Sequence, residues 1–149
     1  MADYPEKLAA LVEDFASITD RSERAEMLIE IADRFNEVKV PPDIATKPYP
    51  AENHVNYCES DAYVWAVDKP DGTLKWYFDV LNPQGLSAKA MSVILSDSLE
   101  GAPLEQVLKV PHEVVQQIFG REISMGKGQG LMGLIMQMQH EARKRLNKS

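Results

Sequence analysis

Cysteine is almost absent from this chain: among 149 residues there is one, Cys58. That scarcity excludes an internal disulfide, and it excludes an iron–sulfur cluster or zinc site held by this thiol alone. What remains is a single thiol, either inert in a core or reactive in a loop. An unpaired cysteine fits a reducing, cytoplasmic setting. Positive charge is also short. Sixteen Lys and Arg stand against 23 Asp and Glu, for a formal net charge of −7. Non-specific binding to nucleic acid or to an anionic membrane needs the opposite balance, whereas a basic protein partner is allowed. No apolar run approaches the roughly 20 residues of a membrane span, and the first residues, Met1 to Lys7, lack the basic and apolar regions of a signal peptide. Internal repeats, low-complexity tracts and linkers are missing too, so residues 1–149 are expected to form a single domain.

What is present is ordinary for a globular protein: 44% hydrophobic and 26% charged residues. A chain of this length buries about 70% of its unfolded surface, so it needs no disulfide or metal staple. The spacing of Leu8, Leu11, Val12 and Phe15 predicts a helix from about Pro5 to Ile18. Asp20, followed by Glu23, reads as the cap of a second helix carrying Met27, Leu28, Ile31 and Phe35. Val38 to Tyr57 reads as a long loop stiffened by Pro41, Pro42, Pro48 and Pro50. Cys58 stands where that loop ends. Ala62–Asp68 and Leu74–Val80 flank the turn signal Lys69-Pro70-Asp71-Gly72 and predict a hairpin. A third strand would fall near residues 52–57. Helices are then predicted over Gly85–Leu99, Pro103–Leu108, Pro111–Phe119 and Gly128–Asn147. The class is α+β, a small antiparallel sheet packed against helices.

Several motifs fail on inspection. Gly128-Gln129-Gly130-Leu131-Met132-Gly133 has dinucleotide-fingerprint spacing, but too few residues follow it for a βαβ unit. His112-Glu113 begins a zinc-protease pattern that Gln116 breaks. Val64 replaces the arginine of a phosphatase loop that would begin at Cys58. His54 precedes Cys58 by four residues, which permits a Cys–His pair. In an irregular loop that spacing does not put both side chains on one face, and a solvated histidine is the plainer reading. Met125, Met132, Met136 and Met138 fill a core or form an adaptable partner surface.

The residues Glu52-Asn53-x-Val55-x-x-Cys58-x-Ser60, followed by Val64-Trp65, resemble the segment around the acceptor cysteine of SufE proteins. The likeness extends along the chain. It includes the N-terminal helical pair, Asp79 at the end of a strand, Lys89-Ala90 in a helix, Gly101-x-Pro103-Leu104-Glu105, and Lys127-Gly128-Gln129-Gly130-Leu131 at the final helix. The chain departs from the family pattern in four places. Tyr57 replaces a glycine, Glu59 a glutamine and Lys127 an arginine, and two extra residues lie between Cys58 and Trp65.

The resemblance implies a SufE/IscU-like fold and a function. SufE proteins accept sulfur from a SufS-type cysteine desulfurase, carry it as a persulfide, stimulate the desulfurase and pass sulfur to an iron–sulfur assembly scaffold. Cys58 would be the sulfur acceptor. Asn53, His54, Val55, Glu59, Ser60, Asp79, Lys89 and Lys127 would form the partner-binding face. The implied protein is a monomer or homodimer and not an enzyme in its own right. It has no metal and no cofactor of its own, because pyridoxal phosphate belongs to the desulfurase. Glu52, Glu59 and Asp61 near Cys58 disfavour a thiolate, so a thiol of ordinary or raised pKa is expected until a basic partner surface docks. The alternative is a docking-only partner that regulates a desulfurase without transferring sulfur.

Overall fold

Apolar periodicity becomes helix at both ends of the chain and strand in the middle. The computed structural model describes residues 3–56, 60–121 and 123–148. Helices α1 (Glu6–Ala16) and α2 (Arg21–Ala32) are followed by 3₁₀ turns at Phe35–Glu37 and Ala51–Asn53. Strands β1 (Ala62–Asp68) and β2 (Leu74–Val80) come next, then α3 (Leu86–Leu99), α4 (Leu104–Leu108), α5 (Val114–Phe119) and α6 (Met125–Leu146). Asp20 caps α2 by accepting a hydrogen bond from the Ser22 amide at 2.8 Å. Pro5 lies one residue before the first turn of α1, at its N-cap. The final helix starts at Met125, three residues before the expected Gly128, because the Ser124 hydroxyl caps it by accepting from the Lys127 amide. Gly126, Gly128 and Gly130 therefore lie inside the helix and do not loosen its start.

The hairpin pairs antiparallel from Ala62 opposite Val80 to Asp68 opposite Leu74. Gly72 closes its turn at φ 86°, a conformation glycine adopts without strain. Each edge of the hairpin gains one isolated bridge. His54 pairs antiparallel with Tyr63, and Lys39 pairs parallel with Phe78. Among the described residues, the strand expected near residues 52–57 is thus reduced to a single bridge, because the 3₁₀ turn at Ala51–Asn53 uses up the residues before it.

One face of the hairpin, with Val64, Leu74, Trp76, Phe78 and Val80, is buried against the helices. Helix α3 is central: it packs on β2, α1, α2 and α6. Such enclosure explains why its serines Ser92, Ser96 and Ser98 are buried along with its apolar residues. Ser92 satisfies its hydroxyl within the helix, donating to the Ala88 carbonyl at 2.7 Å. Buried side chains from Leu8 in α1 to Ala142 in α6 join in a core cluster. The other face of the hairpin is crossed by the proline-rich loop, which lays Tyr49 over Tyr63 and Trp65 with ring centroids 5.1 and 4.8 Å away.

Candidate functional site

Cys58 and its neighbours Tyr57 and Glu59 lie outside the described residues, so the site is defined by the two stems that carry them. On the first stem, the Asn53 side-chain amide donates to the Val64 carbonyl at 2.8 Å, and the Val55 amide donates to the Ala62 carbonyl at 2.9 Å. On the second, the carbonyls of Ser60 and Asp61 accept from the amides of Asn82 and Leu81. The stems are joined to each other where His54 Nε2 meets Asp61 Oδ1 at 2.7 Å. Asp61 holds φ 55° there, a left-handed conformation that aspartate tolerates better than most residues. The chain thus enters and leaves the Cys58 segment through fixed backbone.

Two glycines let other elements approach these stems. A Cβ on Gly133 of α6 would meet Val55 Cγ1 at 2.8 Å and the Asn56 carbonyl at 3.0 Å. A Cβ on Gly85 would meet Val80 Cγ1 at 2.6 Å and Ser60 Cβ at 3.0 Å. Helix α6 also holds the first stem through Gln137, whose side-chain amide donates to the Glu52 carbonyl at 3.0 Å.

Beside Ser60 opens a cleft of about 270 Å³, lined by residues of the Asn82–Ala88 segment and by Lys127, Gly130 and Leu131 of α6. Ser60 and Lys127, distant in sequence, therefore share one cavity. The ammonium of Lys127 is exposed and has no carboxylate partner among the described residues.

The other described residues expected at the docking face do not line this cleft. Asp79 is 3% exposed. Its carboxylate accepts from the Tyr49 hydroxyl at 2.6 Å and from the Val80 amide at 2.8 Å. Burial and this hydrogen bond push the Tyr49 phenol up to about 12. Lys89 points at the ring of Phe35, 5.7 Å from its centroid, and does not line the cleft. Val55 is fully buried and Asn53 half-buried. Both shape the first stem and present little surface. His54 is not the solvated loop histidine of the plainer reading, since it contacts Asp61 and stacks edge-on against Tyr63 at 4.9 Å. Glu59, like Cys58, lies outside the described residues.

Tyr49 escaped the sequence reading. Its signal was weak: an aromatic residue between Pro48 and Pro50, where a rigid backbone can hold a ring in place. Among the described residues no helix is long and apolar enough to cross a membrane.

The order of these features along the chain is that of a known group. The SufE family profile, an Fe–S metabolism associated domain, matches residues 9–142. The solution structure of a hypothetical protein from Thermus thermophilus superposes with a TM-score of 0.70 at 28% identity, over 97% of this chain and 98% of that one. No curated protein matches the chain. With the profile running from α1 into the last turns of α6, across both stems and the cleft beside Ser60, the chain belongs to the SufE family.

Proposed function

We propose that this protein accepts sulfur from a SufS-type cysteine desulfurase onto Cys58 in the cytoplasm, stimulates that desulfurase, and hands the sulfur to an iron–sulfur assembly scaffold. The observation that carries the reading is that the only cysteine in the sequence falls between two fixed stems, of which the second brings Ser60 to a cleft shared with Lys127, in a chain matched over residues 9–142 by the SufE profile. In the proposed step the Cys58 thiolate attacks the outer sulfur of a persulfide on the partner's cysteine. A new S–S bond forms on Cys58, the partner's S–S bond breaks, and the partner's cysteine leaves as a thiolate. No electrons are gained or lost overall. Lys127 would stabilise the negative charge on sulfur during the exchange. Glu52, Glu59 and Asp61, all close to Cys58 in sequence, would oppose thiolate formation in the free protein.

Intact-mass measurement after incubation with a SufS-type desulfurase and free cysteine tests the proposal. Sulfur-atom increments on the wild type, absent from Cys58→Ser, are the expected outcome. Increments on neither protein, with binding to the desulfurase retained, would replace the carrier role with docking alone.

A further inference from the structure

A second hollow adjoins the cleft. It has a volume of about 380 Å³ and lies between α2, the start of α3 and the α5–α6 junction. Leu28, Phe119 and Ile123 contribute apolar walls. Ile29 and Leu86 also line it, with 45% and 43% of their surface exposed, which is high for two large aliphatic side chains in one groove. Leu86, Ser87 and Lys127 line both this groove and the cleft beside Ser60, so the two are continuous.

The charge of the groove runs against that of the molecule. The chain carries net −7, yet every ionisable residue among the described lining is basic: Arg21, Arg24 and Lys127. Arg21 is engaged within the protein, which leaves Arg24 and Lys127 as the charges that matter. Arg24 spends its guanidinium on backbone carbonyls, those of Phe15 and Ile18 at the end of α1 and those of Gln117 and Ile118 in α5. It is thereby held in place, and no carboxylate among the described residues pairs with it. Lys127 is in the first turn of α6, where the helix dipole adds to its positive potential.

Resting on the carrier function proposed above, we infer that this groove is a docking site for a segment of the desulfurase partner that sets a carboxylate beside bulky apolar side chains. The apolar side chains would cover Ile29 and Leu86, and the carboxylate would face Lys127 and Arg24.

Binding of a SufS-type desulfurase to this protein, in a Cys58→Ser background that prevents transfer, tests the inference. Ile29→Asp should weaken binding at least tenfold, Ile29→Lys clearly less, and Leu86→Asp at least tenfold. Met136→Asp, at an exposed methionine outside the groove, should stay within twofold. Thermal melts confirm that each variant is folded. If Ile29→Asp and Leu86→Asp bind within twofold of the parent, the groove is not the docking site, although the carrier function stands. If Ile29→Lys loses as much as Ile29→Asp, the occupant is not acidic and the inference fails. If the parent does not bind at all, the proposed function falls and this inference with it. Self-association of the parent that Ile29→Asp abolishes would assign the groove to a second copy of this chain and overturn it.

Discussion

Tyr49 and Asp79 show how one contact ties a loop to a sheet. The carboxylate of Asp79 sits on a strand face that would be open to water if the proline-rich loop did not cover it. Tyr49→Phe keeps the ring and its packing on Trp65 but leaves a buried carboxylate oxygen without its donor. A loss of about 1–3 kcal/mol in urea unfolding is expected. The same bond has a pH signature. The tyrosine is pushed up to about 12 in the folded protein, against about 10 when unfolded. Its contribution is therefore complete below pH about 10 and is lost as pH rises through 12. Ultraviolet titration should show one tyrosine ionising last, and Tyr49→Phe should remove that step. Asp79 could be picked out as a polar residue in a strand, but its partner could not, since 30 residues separate them. His54 and Asp61 are close in sequence, yet the left-handed turn at Asp61 that brings them together has no marker such as glycine.

At the scale of elements, α6 organises the site from one side. It approaches the first stem where Gly133 leaves room, and it pins β1 at its other end through Arg145. Gly133→Ala would drive a methyl group into the buried Val55 and the Asn56 carbonyl. Overpacking of this kind costs about 1–3 kcal/mol, against a gain of about 1 kcal/mol from replacing glycine in a helix. A net loss of stability is expected in denaturant unfolding, with slower sulfur loading than wild type because the stem is displaced. At the C-terminal end, Arg145 bonds Asp68 at 3.0 Å and Glu141 at 2.7 Å. The hydrogen bond from Arg145 holds the Asp68 carboxyl below its ordinary range. For Glu141, burial pushes upward, but hydrogen bonds from Arg145 and Lys144 outweigh it and the carboxyl again sits low. Depressed carboxylates stabilise the fold above their unfolded values, near pH 4, and lose that contribution as pH falls further. Arg145→Met should therefore flatten the fall in the urea midpoint between pH 5 and pH 3. An unchanged slope would mean that these pairs contribute little, as many exposed ion pairs do.

For the whole molecule, the helices enclose one face of a two-stranded hairpin that could not stand alone. Leu134 of α6 is fully buried, and Leu134→Ala should lower stability by about 2–5 kcal/mol in denaturant unfolding. Charge also acts at this scale. The chain is acidic overall, and the groove beside Lys127 is basic. Both should draw a complementary partner, so binding to a desulfurase should weaken as added salt shortens the Debye length from about 10 Å to about 3 Å. Affinity independent of salt would point to apolar contact alone.

Local chemistry is legible in this sequence. The hairpin follows from alternating β-branched and aromatic residues around Lys69–Gly72, the cap of α2 from Asp20, and the identity of the one available thiol from a count. These depend on neighbours along the chain, and local propensity is enough to specify them. Tertiary structure alone decided that Tyr49 roofs Asp79, and that Lys89 turns to Phe35 while Lys127 joins Ser60 at a cleft. Leu86 looks like one more core position in the apolar pattern of α3, and it ends up exposed at the groove. The reason is the same throughout: pattern tells which residues favour burial, but which of them find cover depends on how distant elements pack.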